Sequence, residues 1–141
     1  MTKPSVFITR RWPAASEAAM HEAFDVTMND ADEQLSAEAI AEAMLSHDAI
    51  APTVTDPVGE ATIESGAGGK CRIIANFGVG VNHIDSKAAS RHGMIITNTP
   101  GVLTDATADI ALTLMLMTMR RAGEGERELR AGEWSGWRPT H

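Results

Sequence analysis

A single cysteine, Cys71, stands among 141 residues. One thiol closes no internal disulfide, which points to a reducing compartment. Its place in an apolar run makes it a small core residue. Positive charge is also scarce: 12 Lys and Arg against 19 Asp and Glu leave a formal charge of -7. A nucleic-acid backbone needs clustered cations, and here the basic residues are scattered, with Arg10–Arg11 and Arg120–Arg121 the only adjacent pairs. Nucleic acid is therefore excluded as a partner. No stretch is long and apolar enough to span a bilayer. The opening residues, MTKPSVFITRRW, lack the charged-then-apolar plan of a signal peptide. The expectation is a cytoplasmic protein with no membrane partner. There is no internal repeat and no low-complexity segment.

What is present fits one ordinary globular domain: 43% apolar and 22% charged residues, in a chain long enough for a real core. Short apolar runs alternate with helical patterns. Strands are expected at Ser5–Thr9, Phe24–Met28, His47–Ala51, Cys71–Ala75 and Met94–Thr97. Helices are expected at Ala14–Ala23, at Ser36–Leu45 behind a capping serine, and from Asp56–Pro57, with Asp as cap and Pro at the first helical position. Gly66–Gly69 closes that third helix, and Ser86–Arg91 forms a short fourth. In the second helix Ile40, Met44 and Leu45 share one face. Strand–helix alternation of this kind implies parallel strands with helices on both faces, a doubly wound α/β sheet. Ligands of such folds sit at the carboxyl ends of the strands. That directs attention to the loops 9–12, 52–55, 76–82 and 98–103.

The last element is of another kind. From Thr104 to about Ala131 no strong stop occurs before GEWSGW. Between Ala106 and Met119 the only charge is Asp109, and Ile110, Leu112, Leu114, Met115, Leu116, Met117 and Met119 lie all round a helical wheel. A helix apolar on every side must be covered on every side. One sheet face covers only one, so either this is the central core helix of the domain or it packs on another domain or subunit. Gly123 and Gly125 weaken its second half by roughly 1 kcal/mol each relative to Ala.

The stretch NFGVGVNHID, residues 76–85, raises the question of a dinucleotide loop. The fingerprint G-x-G-x-x-G is met by Gly78 and Gly80, but His83 takes the third place. The next strand also ends in Thr97–Asn98–Thr99, without the acid that would hold a ribose hydroxyl. A dinucleotide loop is rejected here. Two uses remain: a run of outward N–H groups that attracts a carboxylate or phosphate, or a plain strand-to-helix turn. His83 and Asp85 have no third ligand spaced for a metal. Arg10–Arg11–Trp12 either faces the same pocket or forms a solvated loop.

The run from Asn76 to Arg121, with GVGVNHID and NTPGVLTDATAD as its most specific strings, closely resembles the D-isomer-specific 2-hydroxyacid dehydrogenases, above all their glyoxylate and hydroxypyruvate reductase branch. The resemblance is weak in the first forty residues and grows through HDAIAPTVTDPV, and GEWSGWRPTH also resembles the family's segment just before its cofactor domain. The resemblance implies a flavodoxin-like substrate domain into which a Rossmann cofactor domain is inserted. Residues 1–100 would be the N-terminal part of the substrate-binding, catalytic domain. Residues 101–141 would be the long linking helix and the start of an absent NAD-binding domain. The family's catalytic Arg, Glu and His lie further on and map to no residue here, so the chain is expected to be an inactive fragment of an NAD(P)-dependent oxidoreductase.

By the same resemblance, the amides of Val79 and Gly80 would hold the substrate carboxylate, and Thr53 and Val54 would line the pocket. Thr107, at the start of the long helix, would approach the nicotinamide; a helix-capping hydroxyl is its other reading. Asn98–Gly101 would be the interdomain hinge. Implied partners are a small 2-oxo or 2-hydroxy acid and a second copy, through the 104–131 helix. NAD or NADP would serve the complete enzyme, with no tight binding expected to these residues alone. Two rival readings stand beside this one: a free-standing flavodoxin-like module that binds an anion or a protein, and a module that self-associates through its helix.

Overall fold

The computed structural model describes residues 2–139. Five strands, β1 (Ser5–Ile8), β2 (Asp25–Met28), β3 (Ala49–Ala51), β4 (Ile73–Ala75) and β5 (Ile95–Thr97), form one sheet in the order β2-β1-β3-β4-β5. Every pairing is parallel. This is the flavodoxin-like order of a doubly wound sheet. Crossovers are made by α1 (Ala14–Ala23), α2 (Ala37–Ser46), α3 (Glu60–Gly66) and α4 (Ser86–Arg91). The chain divides into two units, Met1–Pro100 and Gly101–His141. The second contains α5 (Thr104–Met119) and α6 (Ala122–Arg130).

The core has two parts. On one sheet face Ile40, Ala43 and Met44 of α2, Ile63 of α3 and Ala88 and Ala89 of α4 close over Ile50 and Ile74. Cys71 belongs to this cluster, and burial pushes its thiol pKa up. On the other face Val6, Ile8 and Ala51 are covered by Met20, Phe24 and Trp12. This second face is only partly roofed: Ile73 and Ile95 stay exposed, whereas parallel strands are ordinarily covered on both faces.

Local chemistry explains most boundaries. Ser36 caps α2 by accepting from Ala39 N (3.2 Å), and Asp85 caps α4 by accepting from Ala88 N (2.8 Å). The third helix departs from expectation. Asp56 does not cap it, because its carboxylate turns inward, and Val58 first pairs with Ile84. α3 therefore starts at Glu60, behind Gly59. Leu45, expected on the buried face of α2, is 46% exposed. The GAGG segment passes so close behind it that a Cβ on Gly69 would lie 2.2 Å from Leu45 Cα.

The single 104–131 helix is also corrected. α5 stops at Met119 and α6 begins at Ala122. Between them Arg121 adopts a left-handed conformation, φ 50°, which interrupts the right-handed helix, and its guanidinium pairs with Glu124. No residue of α5 is buried.

Candidate functional site

Four of the five strands run out into loops that carry the sequence-derived candidates. After β3, Pro52 is followed by Thr53, whose strand-like bridge to Phe77 and the Phe77 N–H···O Pro52 bond (2.8 Å) extend the β3–β4 pairing by one step. Beyond that step both chains swing away, one through 54–57 and the other through 78–83. They rejoin at the Val58–Ile84 bridge.

In the second arc the hydrogen bonds are sorted by type. Asn76, 2% exposed, donates through Nδ2 to Gly78 O (3.0 Å) and Gly80 O (2.9 Å). Asn98 Nδ2 donates to Val79 O (2.9 Å), and Thr99 N also donates to Gly78 O (3.1 Å). Every carbonyl of the Gly78–Gly80 turn is thus taken. Gly78 N is used on Asn76 O (3.0 Å), but among the described residues the N–H groups of Val79, Gly80 and Val81 have no acceptor. A turn with its acceptors consumed and three successive donors free is locally positive, the physical basis of a backbone anion nest. Neither glycine has a positive φ. Gly78 is required by space, since a Cβ there would meet Val54 Cγ1 at 2.7 Å, and Gly80 faces open space.

The first arc is set from below by Asp56, fully buried. Its Oδ2 accepts from Thr9 Oγ1 (2.5 Å), Thr53 N (2.7 Å) and Thr53 Oγ1 (3.2 Å). Thr53 is thereby held beside Phe77, and Val54 lies against Gly78. The Arg10–Trp12 loop is partly exposed and tied down by ion pairs. Arg10 pairs with Asp32 at 2.9 Å, and Glu17 accepts from Arg11 (2.8 and 2.7 Å) and from Trp12 N (2.8 Å). These bonds keep the Glu17 carboxyl below the usual carboxylate range. Trp12 stacks on Phe77, ring centroids 4.9 Å apart. Burial lowers the pKa of His83, a shift opposed by the Asp56 charge. Thr107 lies in the second unit, in the first turn of α5, where no side chain caps the helix.

Sequence reasoning missed Asn76, Asn98 and Asp56 as the residues that shape this site. Asn76 carries a readable signal: an amide side chain directly before a glycine turn. The inward turn of Asp56 carries none, since Asp before Pro reads as a cap.

The turn at 78–83 is not built as a dinucleotide cradle. The helix N-terminus that would face a pyrophosphate, that of α4, is already occupied by the Asp85 carboxylate, and His83 replaces the third glycine.

Together, fold and loop define a class: a flavodoxin-like α/β lobe presenting a donor-rich backbone turn at the carboxyl edge of its sheet. Residues 6–133 match the catalytic domain of the D-isomer specific 2-hydroxyacid dehydrogenases, and the chain belongs to that family. It is 38% identical over 138 residues to a glyoxylate reductase of Korarchaeum cryptofilum, covering 97% of this chain and 41% of the relative. Among solved structures, a protein of Thermus thermophilus superposes with TM-score 0.82 at 32% identity, over 96% of this chain and 43% of that one. An NADPH-dependent glyoxylate/hydroxypyruvate reductase from Sinorhizobium meliloti, solved with NADP and malonate, superposes with TM-score 0.79 at 29% identity, over 98% of this chain and 42% of that one. The chain thus spans about two fifths of the relatives it matches.

Proposed function

We propose that the Val79 and Gly80 N–H groups bind the carboxylate of a small 2-oxo or 2-hydroxy acid, with Thr53 and Val54 lining the pocket. The lobe then serves an NAD(P)-dependent oxidoreductase acting on D-2-hydroxy acids, of which glyoxylate and hydroxypyruvate are the substrate type. One observation carries the reading: every carbonyl of the turn is consumed by Asn76, Asn98 or Thr99 while the adjacent donors stay free. Family membership and the reductase relatives support it from outside.

In this proposal residues 1–100 are the substrate-binding part and residues 101–141 the link to a cofactor domain. Asn98–Gly101 is the hinge, and Thr107 faces the nicotinamide side. The protein works as a homodimer through the 104–131 region, in the cytoplasm. This chain's own contribution is to hold and orient the acid. The 76–85 stretch departs from the G-x-G-x-x-G fingerprint at His83, so the 141-residue chain with NADH and glyoxylate is expected to give no turnover.

The test is titration of the ¹⁵N-labelled chain with sodium malonate. The Val79 and Gly80 amide resonances should shift downfield in a saturable manner. Saturable shifts elsewhere, with these two amides unmoved, would remove the carboxylate reading.

A further inference from the structure

The two arcs that leave the sheet between the Thr53–Phe77 and Val58–Ile84 bridges each carry one buried polar atom with no partner among the described residues. On the first arc it is Asp56 Oδ1; on the second it is His83 Nε2. Buried polar groups of this kind are hydrogen-bonded in native proteins, to protein or to ordered water. The two atoms are complementary. Asp56 Oδ1 only accepts, and a neutral imidazole can donate from Nε2. Burial favours the neutral ring, and the one charged group acting on it is Asp56. The other oxygen of Asp56 is fully engaged with Thr9 and Thr53, so the carboxylate is anchored to β1 and to the first arc.

We propose that His83 Nε2–H donates to one internal water, which donates in turn to Asp56 Oδ1, and that this link fixes the spacing of the two arcs and so the set of the Val79 and Gly80 N–H groups. Asp56 and His83 are then positioning residues: neither touches the acid. The positioning role rests on the carboxylate reading above, whereas the link itself does not.

The test uses the 141-residue chain, wild type and as Asp56→Asn, His83→Gln and the double variant. Long-range ¹H–¹⁵N spectra of the wild type should find the Nε2–H tautomer of His83, with a ring proton protected from exchange. Asp56→Asn should abolish that protection and lower the titration midpoint of His83 further, since the opposing charge is gone. The single variants should move the Val79 and Gly80 amides along the same direction, and the double variant no further than either. Malonate affinity should weaken by about three- to tenfold in each single variant and by no more in the double. A His83 ring indifferent to Asp56→Asn, or amide shifts that add in the double variant, overturns the link. Should Asp56→Asn fail to fold, an unprotected, freely exchanging Nε2 proton in the wild type decides against it equally. If malonate moves neither amide of the wild type while the ring and amide readouts behave as stated, the link stands and the carboxylate reading falls.

Discussion

Asn76 uses one amide group to hold two carbonyls, Gly78 O and Gly80 O, two residues apart. With Asn98 on Val79 O, it leaves the turn with its carbonyls taken and the Val79 and Gly80 N–H groups free among the described residues. The glycines on either side do different work. At Gly78 an added methyl meets Val54 Cγ1 at 2.7 Å; at Gly80 nothing lies within 4 Å, and neither residue needs a positive φ. Because Val54 is exposed and can turn aside, Gly78→Ala should cost only about 1 kcal/mol. Gly80→Ala should fall within about 0.5 kcal/mol of the parent. Urea unfolding of the two variants checks this. A larger loss at Gly80 than at Gly78 would contradict the spatial account.

At the scale of elements, the contact between α2 and the end of α3 is closer than side chains permit. A Cβ on Gly69 would sit 2.2 Å from Leu45 Cα and 2.8 Å from Met44 O, both backbone, whereas Gly68 faces open space. Backbone cannot swing aside as Val54 can. Gly69→Ala should therefore destabilise by about 3 kcal/mol, the upper end for overpacking, and Gly68→Ala by less than about 1 kcal/mol. The difference in denaturation midpoint between the two is the measurement. The break after α5 follows similar logic. Arg121 takes a left-handed conformation that non-glycine residues seldom adopt, and it pairs with Glu124 in the first turn of α6.

Two properties belong to the whole molecule. The first is the response to acid. Asp48, hydrogen-bonded by Ser5, and Glu64, paired with Arg91 and His92, both lie below the ordinary carboxylate range. His83 lies below its ordinary 6.5 through burial. For each depressed group the unfolded chain takes up the proton first, so stability is complete above the ordinary value and declines as pH falls. The decline should therefore begin below pH 6.5 through His83 and steepen below the Glu value of 4.5. His83→Gln should erase the first phase and leave the second, as followed by thermal unfolding from about pH 8 to about pH 3. The second property is association. Leu112, Leu114 and Leu116 of α5 are each more than half exposed, an apolar area that water disfavours. The chain should self-associate with rising concentration in sedimentation velocity. Leu112→Glu with Leu116→Glu, one turn apart on the same face, should keep it monomeric. A chain that stays monomeric before substitution would remove the dimer proposal.

The sequence alone determined the alternation of strands and helices, the Ser36 cap, the buried Cys71 and the family, because apolar period and side-chain capping are local properties that neighbouring residues settle. GVGVNHID also located the turn. Only the tertiary structure decided why that turn is donor-rich, since Asn98 reaches Val79 across 19 positions and Asp56 reaches Thr9 across 47. Asp56 before Pro57 reads as a helix cap when only neighbours are counted. The buried Thr9 hydroxyl, just past β1, draws the carboxylate inward together with the nearby Thr53 amide, and no spacing along the chain announces a partner 47 positions away.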